Sequence, residues 1–346
     1  MSTGLSVDDV ERVVARRGPR SGLSVVVAIH STALGPAVGG CRLATYPHWQ
    51  AGLTDALRLS SAMTAKCAVA GLPHGGGKTV VALPPGTAVE AGLRRAILLD
   101  VGDTVESLGG AYATGPDVGT GPDDMAVIGE RTRQVCCRPA TAGGSGDSSG
   151  PTARGVLAAL AVLGPVAGRR FAIMGLGRVG ALVARGLAAA GAELLVTDVD
   201  QGRRNVAAAL GATWTDDVLT AEADVLVPAA LGGVLTAGSV AGLRYAEICG
   251  PANNQLDEPA TADLLRQRGI RWAPDFVVGA GGVIHATAVE LRGLTPAQAT
   301  VRVQGIAGTL AAVFDAAHRS GVTPLAAAQE LARTRIAAAR QATMAG

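Results

Sequence analysis

Aromatic residues are scarce in this chain: three Phe, three Tyr and three Trp, 3% of 346 residues. Ala, Val and Leu supply most of the 48% hydrophobic share, so small aliphatic side chains must fill the cores. Together with 17% charged residues, the balance is that of a globular protein. An excess of charge is lacking too. A formal net charge of +2 gives no electrostatic case for nucleic acid, and no stretch interleaves Lys/Arg with aromatics. No apolar run reaches the ~18 residues of a membrane span. The N-terminal residues MSTGLSVDDVERVVARRGPR lack the basic-then-apolar layout of a secretory signal, so a cytoplasmic location is expected. The five cysteines (Cys41, Cys67, Cys136, Cys137, Cys249) are odd in number and show no CxxC or Cys/His spacing. That argues against a disulfide framework and a zinc site, and no metal is expected. Adjacent Cys136 and Cys137 read as ordinary small apolar residues.

Lysine is the most informative shortage. Of 30 basic residues, 28 are arginine and only Lys66 and Lys78 are lysine. A guanidinium keeps its proton near neutral pH, whereas a buried ammonium can have its pKa lowered into the working range. Both lysines, which flank a glycine-rich turn, are therefore functional candidates, against the plainer reading of two solvated surface charges.

The length allows two domains, each with its own core. In the first ~140 residues, β-like runs (Ser24 to Ile29, Thr79 to Leu83) alternate with helical patterns (Leu53 to Met63, Val89 to Leu108), which is an α/β reading. The Gly/Ser-rich stretch Ala140 to Gly150 reads as a mobile connection and places the domain boundary. A helix is expected over Thr152 to Leu163, then a βαβ unit: strand Arg170 to Met174, helix Ala181 to Ala190, strand Glu193 to Thr197. Further strands fit Asp224 to Pro228, Ala246 to Gly250 and Arg271 to Ala273. The Ala-rich helical chain from Thr300 is expected to return in part to the first domain. The expected layout is residues 1–140, joined by about 320–346, and residues 141–320.

Gly175, Gly177 and Gly180 form GxGxxG with its context complete. A strand precedes it, a helix opens in it, and the acidic Asp198 closes the next strand. Gly175 permits the turn, Gly177 lets the backbone approach a pyrophosphate, and Gly180 packs helix on strand, with the helix N-terminus facing the phosphates. This reads as a Rossmann dinucleotide site rather than a bare glycine turn. Asp198 would accept from the ribose hydroxyls and repel a 2′-phosphate, which favours NAD over NADP, although Arg203 and Arg204 lie just downstream.

The first domain carries GPAVGGCR (Gly35 to Arg42), AMTAKCAVAGLPHGGGKTVV (Ala62 to Val80) and TGPDVGT (Thr114 to Thr120). These put two lysines and Asp117 on glycine-rich turns, the groups an amino acid needs to have its carboxylate held and its proton moved. Taken alone, Asp117 after Pro116 would be a turn residue.

In these segments the chain resembles the glutamate/leucine/phenylalanine/valine dehydrogenase family, most of all its phenylalanine branch, from about Gly35 to at least Leu291. The resemblance implies a substrate domain followed by a Rossmann domain, with the active site in the cleft between them, and NAD-dependent oxidative deamination. It implies that Lys66 binds the substrate carboxylate with the backbone at Gly39 and Gly40. Lys78 would activate water, and Asp117 would move the proton of the amino group. In GPANNQL, Asn253 and Asn254 would hold nicotinamide and substrate, Asn254 the substrate, and Thr152 would lie near the nicotinamide carboxamide. Without the resemblance the Asn pair would read as a turn tied by its own side chains. Where the family usually has Asn in PDFVVGAGG, this chain has Gly279.

The resemblance also implies a substrate side-chain pocket lined by Val38, Gly115, Val283 and Ala286. Glutamate enzymes of the family pair the substrate's second carboxylate with a lysine where this chain has Val38, and no third lysine exists. A buried carboxylate without a cation is costly, so glutamate is excluded. An apolar amino acid is expected, phenylalanine first and leucine or valine next. His74, directly before GGGK, reads as a substrate contact or a residue behind the site. A small-molecule substrate and a homo-oligomer are the expected partners. The competing readings are a nicotinamide-dependent reductase of imines or 2-oxo acids that releases no ammonia, and a non-catalytic NAD-binding protein.

Overall fold

The computed structural model describes residues 6–345. The chain forms two compact units. One takes the chain up to Asp147, Ala286–Pro296 and the residues from Ala332; the other takes Ser148–His285 and Ala297–Leu331.

The first unit is built on a five-stranded sheet. Its strands are β1 (Arg12–Arg17), β2 (Ser24–Ser31), β3 (Ala37–Thr45), β4 (Gly75–Leu83) and β5 (Tyr112–Pro116), in the order β1-β2-β4-β3-β5. β1 and β2, and β2 and β4, run antiparallel; β4, β3 and β5 run parallel. Helix α1 (Trp49–Val69) connects β3 to β4, and α2 (Ala91–Glu106) and α3 (Pro122–Ile128) flank β5 in sequence. Alternation sorts the sheet into two faces. Val26, Ala28 and Val80 pack with Ala56 and Leu57 of α1, while Val25, Val27, Ile29 and Val81 pack with Ile97, Leu98 and Val101 of α2. Helices on both sides bury β4 along its whole length, which is why Thr79 to Leu83 reads as an unbroken apolar run. Each buried Val, Leu or Ile among them contributes ~1.5–3 kcal/mol by leaving water.

The β4 glycines are required by this closeness. A Cβ on Gly76 would stand 2.0 Å from the backbone N of Thr64 in α1, and one on Gly77 would stand 2.6 Å from the Tyr112 ring. The Gly/Ser-rich stretch expected to be a mobile connection is tied down. Glu290, in a π-helical turn over Thr287–Leu291, accepts from the Ser145 N–H at 2.9 Å and from the Cys137 N–H. Cys136, Cys137 and Ala286 form a small buried cluster there. The C-terminal helix Pro324–Ala345 reaches the end of α1, where Arg335 Nη1 donates to the carbonyls of Ala68 and Val69.

The second unit carries a six-stranded, all-parallel sheet. Its strands are β6 (Arg170–Met174), β7 (Glu193–Thr197), β8 (Thr213–Trp214), β9 (Val225–Pro228), β10 (Glu247–Ile248) and β11 (Arg271–Trp272), in the order β11-β10-β9-β6-β7-β8. This is the doubly wound Rossmann order, whose switch point lies between β6 and β9. Helix α4 (Ser149–Val162) opens the unit, and α5 (Arg178–Ala189) follows the GLGRVG turn. Among the described residues no helix is long and apolar enough to cross a membrane.

Candidate active site

Register builds the centre of the first unit. Val38 pairs with Gly76, and the same β3–β4 offset sets Gly40 beside Lys78; Gly40 in turn pairs with Gly115 on β5. Val38, Gly40, Gly76, Lys78 and Gly115 thus share one face of the sheet. The face is shaped by what is missing. A Cβ on Gly40 would stand 2.8 Å from Asp117 Cβ and 3.1 Å from Lys78 Nζ, and one on Gly39 would strike the carbonyl of Gly77 at 1.8 Å. Into the room that Gly40 leaves, Lys78 Nζ extends to Asp117 Oδ2 at 2.9 Å, with 6% of the lysine side chain exposed and 23% of the carboxylate's.

The loop carrying Asp117 is fixed from three directions. The Asp117 N–H donates to Thr120 Oγ1 at 3.0 Å, Thr120 Oγ1 donates to the Cys41 carbonyl at 2.8 Å, and Arg94 donates to the Gly119 carbonyl while gripping Asp124. Electrostatics then divide the pair. Burial pushes the Lys78 ammonium down from its ordinary value, against the pull of Asp117. Burial alone would raise Asp117, but Lys78 and Arg42 together hold it below the usual carboxylate range. A lysine that releases its proton more readily, beside a carboxylate kept ionised, can exchange protons with a bound molecule.

Lys66 lies half-buried in the last turn of α1. Val38 is buried on the lysine face, and Ala286 is buried against Cys136 and Cys137. At Gly115 an added Cβ would meet nothing nearer than 3.9 Å, so this glycine leaves open space rather than relieving a clash. All five cysteines are free and buried, and burial pushes their thiols up, Cys41 and Cys67 to about 12.

Sequence reasoning passed over Arg42. Its Nε donates to Asp117 Oδ2 at 2.8 Å, and its Nη1 reaches Asp55 Oδ2 on α1 at 2.8 Å. The signal was present: Arg42 stands two residues after Gly40 on the same strand, hence on the same face. His74 is 7% exposed, with Nδ1 3.1 Å from the Pro36 carbonyl. A carbonyl can only accept, so Nδ1 carries the proton and Nε2 is an acceptor. Nε2 is a buried side-chain polar atom without a hydrogen-bond partner among the described residues.

In the second unit, Gly175 closes β6 with a φ of 106° and donates its N–H to the Thr197 carbonyl at 2.8 Å. A Cβ on Gly180 would stand 2.0 Å from the Gly175 carbonyl, whereas Gly177 faces open space. Gly177 caps the twelve-residue α5, whose N-terminus has no side-chain cap bond. An uncapped helix N-terminus beside open space fits the pyrophosphate of a dinucleotide. Asp198, at the end of β7, orients toward this turn. Its Oδ2 accepts from the Leu176 N–H at 2.6 Å and its Oδ1 from the Asp200 N–H at 2.9 Å.

Asn253 and Asn254 are exposed on a loop shaped by buried Gln255, whose amide donates to the carbonyls of Gly250 and Ala252. Asn254 takes a φ of 53°, a conformation asparagine tolerates better than most. An added Cβ at Gly279 would stand 3.9 Å from Asn253 Oδ1, so a longer side chain at that position would border the same loop. Thr152 lies in the first turn of α4, where a Cβ on Gly282 would come within 3.0 Å of its Oγ1.

A buried lysine–carboxylate pair in one α/β unit, and a dinucleotide-binding turn at the switch point of the other, define the class: a two-unit, nicotinamide-dependent dehydrogenase. The family models locate it further. The Glu/Leu/Phe/Val dehydrogenase dimerisation domain matches residues 11–134, and the Glutamate/Leucine/Phenylalanine/Valine dehydrogenase model matches residues 196–343. The chain is 39% identical over 333 residues to a phenylalanine dehydrogenase of Lysinibacillus sphaericus, covering 92% of this chain and 86% of that one. It is 38% identical over 338 residues to a leucine dehydrogenase of Bacillus subtilis, covering 95% and 92%. Among solved structures, L-tryptophan dehydrogenase from Nostoc punctiforme superposes with a TM-score of 0.82 at 33% identity, covering 96% of this chain and 97% of that one. The chain belongs to the glutamate/leucine/phenylalanine/valine dehydrogenase family.

Proposed function

We propose that the protein catalyses the reversible, NAD-dependent oxidative deamination of an apolar L-amino acid to its 2-oxo acid and ammonia. The observation that carries this reading is the buried Lys78–Asp117 pair at 2.9 Å, whose lysine is depressed and whose carboxylate is held ionised. Lys66 and the backbone N–H groups of Gly39 and Gly40 bind the substrate carboxylate. Asp117 takes and returns the proton of the amino group. Lys78, once deprotonated, removes a proton from the water that adds to the substrate imine. Asn254 holds the substrate, while Asn253 and Thr152 meet the nicotinamide end of the cofactor. Gly175, Gly177 and Gly180 receive the pyrophosphate, and Asp198 the adenosine ribose. Bound NAD supplies the hydride acceptor.

The preference for NAD over NADP has support beyond Asp198. Arg204 lies 4.5 Å from the Trp214 ring and pairs with Gln201 and Asp216, so it is engaged elsewhere. Of the residues proposed to meet the substrate side chain, Val38, Gly115, Val283 and Ala286, none carries a charge that could pair with a second carboxylate. Hydrophobic pockets separate neighbouring side chains by only ~1–3 kcal/mol per methylene, so phenylalanine is placed first with leucine and valine close behind. The first unit is taken as the substrate domain and the second as the NAD domain of a cytoplasmic homo-oligomer, in keeping with five unpaired cysteines and with the dimerisation domain matched by the first unit. NADH formation over Phe, Leu, Val, Ile, Met, Trp and Glu tests the reading. Turnover of apolar substrates and not of Glu is expected. No turnover of any, or a reverse reaction indifferent to ammonia, would overturn it.

A further inference from the structure

We propose that Arg42 is a positioning residue for the Lys78–Asp117 pair: braced by Asp55, it pins Asp117 Oδ2 against Lys78 Nζ and leaves Oδ1 as the oxygen that exchanges the substrate's proton. The inference rests on the reading of Lys78 and Asp117 given above.

The contacts converge on one oxygen. Lys78 Nζ at 2.9 Å and Arg42 Nε at 2.8 Å both sit on Asp117 Oδ2. Oδ1 takes part in neither contact, and it is not among the sealed, unpartnered atoms of the interior. The carboxylate is thus clamped on one side and approachable on the other. Arg42 is itself held from behind. Asp55 Oδ2 accepts from Arg42 Nη1 at 2.8 Å and from the Tyr46 hydroxyl at 2.7 Å, while Asp55 Oδ1 accepts from Arg58 at 2.8 Å. One planar guanidinium therefore spans two carboxylates on different elements, the loop after β5 and helix α1. The fork of an arginine allows this; a lysine's single nitrogen does not.

The Arg42 contact shares its oxygen with the buried lysine. Sharing it has a chemical consequence. A permanent cation on Asp117 favours its ionised form, and the same cation beside Lys78 disfavours the protonated ammonium. Both effects favour the proton-accepting state of the pair. The charged and titratable groups around it are Arg42 and Cys41 from β3 and Asp117 from the loop after β5, with Asp55 and Arg58 of α1 and Tyr46 behind Arg42; β2 sets Ala28 beside Lys78.

The test is the pH dependence of kcat and KM for an apolar amino acid with NAD, in the parent, Arg42→Gln and Arg42→Lys. An opposite charge at this range moves a carboxylate by ~1–3 pH units. In Arg42→Gln the acid limb of kcat should therefore move to higher pH by at least about one unit. At a fixed pH on that limb kcat falls at least about tenfold, recovering at higher pH, with KM changing far less. Arg42→Lys should restore the limb by restoring the charge, yet keep a lower plateau because it cannot hold both carboxylates. If Arg42→Gln does not fold, Arg42→Lys carries the test through that lowered plateau. An acid limb that stays in place in Arg42→Gln, or a parental plateau in Arg42→Lys, overturns the assignment. A parent that deaminates no amino acid overturns the underlying reading of the pair, and is told apart by the absence of any profile to shift.

Discussion

Replacing Gly40 by alanine puts a methyl where the centre of the first unit has no room. The added Cβ would stand 2.8 Å from Asp117 Cβ, 3.0 Å from the Pro116 carbonyl and 3.1 Å from Lys78 Nζ. Carbon–carbon contacts settle at ~3.5–4.0 Å, so Asp117 must retreat by about 1 Å, or β3 and β5 must part by as much. Gly40 is not among the residues with positive φ, so alanine brings no backbone strain and the effect isolates the lost space. Overpacking of this kind costs ~1–3 kcal/mol, and a catalytic group misplaced by 1 Å costs on the order of a hundredfold in rate. Gly40→Ala should therefore fold, melt a few degrees lower, and lose about two decades of kcat in an NADH-absorbance assay. Gly115→Ala is the internal control. It lies at the paired position on β5, but its added Cβ meets nothing nearer than 3.9 Å, so it should keep its melting temperature and most of its turnover on small substrates. Equal losses in the two variants, or a Gly40→Ala enzyme within a few-fold of the parent, would refute the argument from space.

Three further outcomes are expected at Lys78, Asp198 and His74. Lys78→Arg keeps the charge on Asp117 but cannot release its proton, so kcat should collapse at every pH; steady-state turnover within a few-fold of the parent would remove Lys78 from the chemistry. The parent should prefer NAD to NADP by at least about tenfold in kcat/KM, roughly 1.4 kcal/mol, and Asp198→Ser should narrow that gap; equal values in the parent would show that Asp198 does not meet the ribose. His74→Leu removes a buried acceptor without a partner, and the Pro36 carbonyl keeps the Gly75 N–H as a donor, so the variant should be as stable as the parent or more so. Burial lowers the His74 pKa, so in the parent its neutral state supports the fold above the ordinary histidine value of about 6.5 and that support fades as pH falls through the lowered value. The stability gain of the leucine variant, read from denaturant melts, should therefore widen toward acid pH; a gain independent of pH would contradict the assignment.

How much of this was legible in the sequence depended on the range of the cause. The GLGRVG turn could be read in full because each glycine answers a local need: the positive φ at Gly175, the open approach at Gly177, the close packing of Gly180 on the Gly175 carbonyl. Strands β6 and β7 were legible to the residue for the same reason, being apolar runs bounded by that turn and by Asp198. The return of Ala286–Pro296 to the first unit was not. It is held by Glu290 accepting from Cys137 and Ser145, about 150 positions away in the chain, and by Ala286 and Leu291 packing on Cys136 and Cys137, and no periodicity announces such a pairing. The Gly/Ser content of Ala140 to Gly150 correctly marks weak local preferences, but Glu290 supplies from a distance the anchor that composition could not display.

The two cations on Asp117 show both the strength and the blind spot of reasoning from composition. Lys78 stood out because lysine is nearly absent, and its burial beside Asp117 accords with the chemistry that rarity suggested. Arg42 was hidden by the same fact, being one of 28 arginines. Yet the two residues are complementary on a single carboxylate oxygen. One cation can lose its proton because burial penalises its charge. The other cannot lose it at any working pH, and so provides a fixed field against which the first titrates. Exchanging their identities would leave the net charge of the chain untouched but move the titratable cation from a side chain 6% exposed to one 20% exposed, where burial penalises its charge less. The difference between a surface coated in arginine and a site that moves protons therefore lies in where the rarer cation is buried and which oxygen it shares.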